Sequence, residues 1–125
     1  MDERKKILLV DDTESFLFIL NDILMHDYDT IISKNGEDAL ETAKMVKPDL
    51  ILLDVLMPGM SGLDVLEALN ADDEMKSIPV ILITGMDSEE DVAKGYEMGV
   101  TDYIKKPFKR NVVREKVDAI IEGRR

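Results

Sequence analysis

The sequence predicts an α/β fold: five strand–helix units in succession, their strands forming one parallel sheet with helices on both faces. Three observations carry this. Four short apolar runs and a fifth, weaker one lack the alternation of a half-exposed strand, as strands buried on both faces do. The segments between them repeat apolar residues every three or four positions, the period of a helix with one buried face. Glycine and proline punctuate the joins.

The first run is Ile7–Val10, and the helix after it presents Phe16, Leu20, Ile23 and Leu24 on one face, with Leu17 beside them. The second surrounds Ile31-Ile32. Gly36 opens the helix that follows, whose stripe is Ala39, Leu40, Ala43 and Val46, and Pro48 closes it. The third run, Leu50–Leu53, leads through Asp54 to a chain break at Pro58-Gly59 and a stripe of Leu63, Leu66 and Leu69. Pro79 starts the fourth, Val80–Ile83; its helix has an acidic first turn, Ser88–Asp91, an expected face of Val92, Ala93 and Tyr96, and a stop at Gly99. The fifth run, around Tyr103-Ile104, precedes a helix bearing Val113, Val117, Ile120 and Ile121. Crossovers between parallel strands are right-handed, which distributes helices over both faces. With no linker or low-complexity tract, residues 1–125 read as one domain, a size close to the common roughly 100–150 residues.

Composition removes several function classes. Asp plus Glu outnumber Lys plus Arg by 27 to 16, a formal charge of −11. That excess repels nucleic-acid phosphates and anionic membranes, so neither is expected as a direct partner. No apolar run approaches the roughly 18 residues of a membrane span. The absence of cysteine excludes disulfides, iron–sulfur clusters and thiol catalysis, and suits a cytoplasmic setting. The single histidine, His26, excludes sites built from several imidazoles and reads as a surface residue at a helix end. The eight methionines read mostly as core filler or gap-fitting surface.

Ligands of open parallel sheets bind outside the carboxyl ends of the strands. There the first run delivers Asp11 and Asp12, the third Asp54, the fourth Thr84 and Gly85, and the fifth Lys105 and Lys106. Taken singly, most have ordinary explanations. Asp12 or Thr13 can cap the first helix; Thr84 can be a strand-end hydroxyl; Lys105 and Lys106 can be a solvated pair. Asp54, at the end of what should be a central strand, resists such an explanation, because an unpaired buried carboxylate costs several kcal/mol. Carboxylates about 4 Å apart repel by roughly 4 kcal/mol per pair at an effective dielectric near 20. A hard divalent cation offsets this, and few oxygen ligands with room for water suit Mg²⁺. Such an ion attracts phosphate oxygens, Lys106 adds a second positive charge, and a carboxylate held in line can attack phosphorus to give an acyl phosphate. Thr84 can donate to a phosphoryl oxygen, and Gly85 lets it approach the backbone.

Together Ile7-Leu8-Leu9-Val10-Asp11-Asp12, Pro48-Asp49-Leu50-Ile51-Leu52-Leu53-Asp54, Met57-Pro58 with Gly62, Pro79 with Val80–Thr84-Gly85, and Tyr103-Ile104-Lys105-Lys106-Pro107-Phe108 resemble the receiver domain of two-component response regulators over essentially the whole chain. The resemblance implies a flavodoxin-like (βα)5 fold with strand order 2-1-3-4-5. It implies that Asp54 is the phosphoacceptor and that Asp11, Asp12, Asp54 and the backbone carbonyl of Leu56 hold Mg²⁺. Lys106 would pair with Asp54 when empty and with the phosphoryl group when loaded, and Thr84 and Tyr103 would form a switch pair. The implied partner is a histidine kinase or histidine phosphotransfer protein, with self-phosphorylation and self-dephosphorylation rather than enzymatic turnover of a separate substrate. Kinase choice would depend on the first helix, including Glu14, Ser15, Phe18 and Asn21; the output target stays open. Lys109-Arg110 read as solvated, on the face many receivers use for output.

Leu56 and Met86, two residues after Asp54 and Thr84, are both apolar where family members vary, so a long-lived phosphorylated form is expected. The alternatives fit less well. A Mg²⁺-dependent phosphatase with an aspartyl nucleophile, as in the haloacid-dehalogenase superfamily, wants Asp-x-Asp where this chain has Asp54-Val55-Leu56. A flavin carrier wants a Thr/Ser/Gly-rich phosphate cradle where it has two acids.

Overall fold

The computed structural model describes residues 4–85 and 89–123. Strand and helix alternate five times: β1 (Lys6–Val10), α1 (Glu14–Leu24), β2 (Asp29–Ser33), α2 (Gly36–Val46), β3 (Leu50–Asp54), α3 (Gly62–Asn70), β4 (Val80–Thr84), α4 (Glu89–Glu97), β5 (Asp102–Lys105) and α5 (Arg110–Gly123). The five strands form one sheet in the order β2-β1-β3-β4-β5, and each neighbouring pair is parallel. The flavodoxin-like expectation is borne out.

Two cores result, one on each face of the sheet. Leu8, Val10, Ile51, Leu53, Val80 and Leu82 face α2 and α3, together with Ala39, Ala43, Leu66 and Leu69. Ile7, Leu9, Leu50, Leu52, Ile81, Ile83 and Ile104 face α1 and α5, meeting Leu17, Leu20, Ile23, Val113 and Val117. The three inner strands are buried on both faces, which is why their sequences are continuously apolar. The outer strands depart from that pattern. β2 and β5 sit at the sheet edges, and Ile32 on β2 is 43% exposed.

The fourth helix differs from its expected face. Gly95, rather than Ala93 or Tyr96, is its buried residue, and Ala93 and Tyr96 are exposed. A Cβ built on Gly95 would lie 2.6 Å from Leu82 Cδ1, so α4 approaches β4 through the residue with no side chain. The helical period of side-chain hydropathy carries no trace of a contact made by a bare backbone. Glu89, Glu90 and Asp91 form the acidic first turn; Ser88 and Met86 lie outside the described residues.

Local chemistry sets the other helix ends. Asn35 caps α2 by accepting from the Asp38 amide, and Ser61 and Asp64 form a reciprocal capping box on α3. Thr13 occupies the N-cap position of α1 without a side-chain cap hydrogen bond. His26 is exposed just after α1, as expected. No helix among the described residues is long and apolar enough to cross a membrane.

Candidate functional site at the carboxyl edge of the sheet

Side-chain parity places the polar residues. In register, Val10 pairs with Leu53, Asp54 with Ile83, and Thr84 with Lys105. Residues at one level of a parallel sheet point to the same side. Asp54 therefore follows Ile83 toward α1 and α5. Asp11, one step beyond Val10, and Lys106, one step beyond Lys105, fall on that same side. Thr84 falls on the opposite side, shared with Leu82 and Tyr103. Backbone pairing continues past the strand ends: the Asp11 amide donates to the Ser33 carbonyl (3.2 Å), that of Val55 to Ile83 (2.9 Å) and that of Lys106 to Thr84 (2.8 Å).

Asp11 and Asp54 are both buried, while Asp12 is exposed. Carboxylate oxygens from these three lie within 4.8 Å of one another. Lys106 reaches in from β5: its Nζ is 3.1 Å from Asp11 Oδ2 and 3.3 Å from Asp54 Oδ1. Lys106 thus pairs with two of the three grouped acids. Burial pushes the Asp54 carboxyl up to about 7, the Asp11 carboxylate pushes the same way, and the Lys106 ammonium opposes both. The capping role considered for Asp12 or Thr13 is not seen as a side-chain bond at the Thr13 N-cap; instead Asp11 Oδ1 accepts from the Thr13 amide at 3.0 Å.

The donor set fits a hard divalent cation. Asp11 Oδ2 is buried and accepts no hydrogen bond among the described residues; the Lys106 ammonium beside it is an ion pair only. An orphaned carboxylate oxygen, a second buried carboxylate with a raised pKa and a third open to water are all-oxygen ligands with room for solvent, which suits Mg²⁺.

Beyond Asp54 the chain is held by a close backbone approach. A Cβ on Gly62 would stand 2.2 Å from the Asp54 carbonyl oxygen and 2.8 Å from Val55 Cα, and the Gly62 amide donates to the Val55 carbonyl at 2.9 Å. Only glycine lets the start of α3 sit there, and the loop carrying Leu56 is anchored as a result. The Leu56 side chain is 67% exposed. Gly85 has no such packing demand: a Cβ built on it meets nothing within 4 Å.

Thr84 is buried at the end of β4. Tyr103, half-buried on the same side of the sheet, stacks edge-on against Tyr96 of α4, with ring centroids 5.4 Å apart. Two residues not singled out for the site join it from the other side. The Lys106 Nζ lies 4.0 Å from the ring centroid of Phe16, and that ring meets Phe108 at 5.6 Å and an interplanar angle of 57°. Phe16 carried only the signal of a core stripe, so hydropathy alone pointed it at the sheet and not at a lysine.

A family model described as the response regulator receiver domain matches residues 7–118. Among curated proteins, the chain is 41% identical over 94% of its length to the alkaline phosphatase synthesis transcriptional regulatory protein PhoP of Bacillus subtilis, covering 48% of that protein. It is 34% identical to protein PilH of Pseudomonas aeruginosa, over 94% of this chain and 98% of PilH. It is 40% identical to the DNA-binding response regulator MtrA of Mycobacterium tuberculosis, over 85% of this chain and 46% of MtrA. The chain thus spans about half the length of PhoP and MtrA and nearly all of PilH. Among solved structures, the signal receiver domain of a signal transduction histidine kinase from Syntrophus aciditrophicus superposes with a TM-score of 0.88 at 34% identity, covering 97% of this chain and 92% of that one. Chemotaxis protein CheY4 of Vibrio cholerae superposes with a TM-score of 0.89 at 27% identity, covering 94% and 99%.

Proposed function

The chain belongs to the response regulator receiver domain family, and from that premise we propose that Asp54 accepts a phosphoryl group from a histidine kinase or histidine phosphotransfer protein. The observation that supports this most strongly is the convergence of Asp11, Asp12, Asp54 and Lys106 from three strand ends onto one cleft. The deprotonated Asp54 carboxylate attacks phosphorus. The bond from phosphorus to the donor's imidazole nitrogen breaks, and the electron pair leaves with the imidazole. The product is an aspartyl phosphate, later hydrolysed back to Asp54 and inorganic phosphate.

Asp11, Asp12, Asp54 and the Leu56 carbonyl would hold Mg²⁺, which supplies positive charge to the carboxylates and to the phosphoryl oxygens. This chain's own groups do the rest. Lys106 neutralises Asp54 in the empty state and transfers its ammonium contact to a phosphoryl oxygen in the loaded one. Thr84 donates its hydroxyl, and the unfilled space over Gly85 admits the group. Thr84 and Tyr103 share one side of the sheet, so movement of Thr84 toward the phosphoryl group vacates space into which Tyr103 can turn. That would bias a protein-interaction surface near α4, β5 and α5. We place the domain in the cytoplasm, as a phosphoprotein switch that acts on a protein partner, without contacting nucleic acid or membrane itself and without turning over a separate substrate.

Incubation with acetyl phosphate and Mg²⁺, read by intact mass, tests the reading. One phosphoryl group is gained, and the gain is lost in Asp54→Asn and on chelation of the metal. Uptake that persists in Asp54→Asn removes the assignment.

A further inference from the structure

We propose that Phe16 is a positioning residue for Lys106: its ring face holds the ammonium at the point from which it can exchange Asp54 for a phosphoryl oxygen. This rests on the phosphoacceptor reading of Asp54 and deepens it.

The Lys106 side chain is only 14% exposed, so little water is left to solvate its charge. An ammonium has three N–H donors. The carboxylates of Asp11 and Asp54 lie 3.1 and 3.3 Å from Nζ. The centroid of the Phe16 ring lies 4.0 Å away. An aliphatic side chain there would desolvate the charge and return nothing. The ring returns the attraction of its negative quadrupole face. It is also neutral. It neither competes with a phosphoryl group as an anion nor repels one, so its hold persists while the ammonium changes anionic partners.

The ring is itself held in place. Phe108, two residues after Lys106 in the chain, packs on it. α1 begins where the Thr13 amide is held by Asp11 Oδ1, three residues before Phe16. Arg110 of α5 pairs with Asp22 of α1 at 2.6 Å, tying the two helices that carry the flanks of this contact. Asp11 therefore acts twice, as a partner of Lys106 and as the anchor of the helix that brings the ring.

Ring fluorination tests the assignment, because it weakens the quadrupole with almost no change in shape. Phenylalanine carrying one, two or three ring fluorines is placed at position 16 alone. Initial phosphorylation by acetyl phosphate with Mg²⁺ is then followed by intact mass. The rate should fall stepwise with fluorine number, reaching about fivefold for the trifluoro ring, the scale of a partly desolvated cation–π contact. Phe16→Leu should lose as much, and Phe16→Tyr should keep most of the rate. In NMR spectra without metal, the upfield ring-current shift on the Lys106 ε-protons should vanish in Phe16→Leu. Equal rates across the fluorinated series and Phe16→Leu, in a protein that is phosphorylated on Asp54, overturn the positioning role alone. A wild-type protein that takes up no phosphoryl group overturns the phosphoacceptor reading, and this proposal with it.

Discussion

Gly62 Cα rests directly against the carbonyl of Asp54: a methyl group there would lie 2.2 Å from the oxygen. The residue at the centre of the cleft is thus braced from behind by the first residue of the next helix. Both contacting atoms are backbone, so neither can swing aside. Gly62→Ala should destabilise the fold by about 1–3 kcal/mol, the range for overpacking a tight site. Urea denaturation followed by far-ultraviolet circular dichroism measures it as a lower midpoint with little change in slope. Phosphorylation of Asp54 should slow as well, because the shift is forced onto its own backbone.

Asp54 should make stability depend on pH in the absence of divalent metal. The unfolded chain releases this proton near 3.8 and the folded chain near 7, because burial and Asp11 disfavour the folded carboxylate. Between those values the folded state binds more protons than the unfolded state. Raising pH through that window therefore lowers stability. Asp54→Asn should flatten this fall and be the more stable protein at pH 8, by roughly 1–3 kcal/mol on the scale of removing a poorly compensated buried charge. Denaturation midpoints at pH 5 and pH 8 for both proteins provide the check. A midpoint that rises with pH in the wild type contradicts the assignment. Saturating Mg²⁺ should erase much of the difference.

Lys106 and a divalent cation would compete for the same carboxylates, since Nζ sits 3.1 Å from Asp11 and 3.3 Å from Asp54. Lys106→Met should therefore bind Mg²⁺ more tightly than the wild type, while losing most phosphoryl uptake. Without metal the variant should be less stable, because two buried acids lose their cation. Isothermal titration calorimetry reads the affinity; the chain contains no tryptophan to report it by fluorescence. Unchanged or weaker Mg²⁺ binding would separate the lysine from the metal site.

Leu56 lies two residues beyond Asp54 on the loop anchored by Gly62 and is largely exposed. A leucine there offers no hydrogen bond to a water attacking the aspartyl phosphate. The phosphorylated form should persist for minutes or longer, and Leu56→Glu should shorten its life by about tenfold, within the usual range for a positioned acid–base group. Decay of the phosphorylated species, followed by mass after donor removal, decides this. A lifetime of seconds that Leu56→Glu leaves unchanged counts against it.

Much of this is legible in the sequence. Ile7–Val10, Leu50–Leu53 and Val80–Ile83 are continuous apolar runs because neighbouring strands and two helical layers enclose them, and each became an inner strand. Strand ends carrying Asp11, Asp54 and Thr84 announced a polar edge. The acids met because parallel strands start at one rim and finish at the other. What was not legible has a common cause. Gly95, and the packing role of Gly62 behind its place in the motif, work by the lack of a side chain, to which hydropathy assigns nothing. Phe16 has the composition of a core residue and serves partly as a partner for a charge.

Sequence by itself determined the element order, the parallel sheet, the two-sided core and the rim on which the acids collect, since these follow from local periodicity and strand direction. Tertiary structure alone decided which carboxylate oxygen lacks a hydrogen bond, that Lys106 reaches Asp11 as well as Asp54, that an aromatic ring backs the lysine, and that Tyr96 lies against Tyr103. Those relationships are distances between residues far apart in the chain, set by sheet register and helix packing, and no local pattern encodes them.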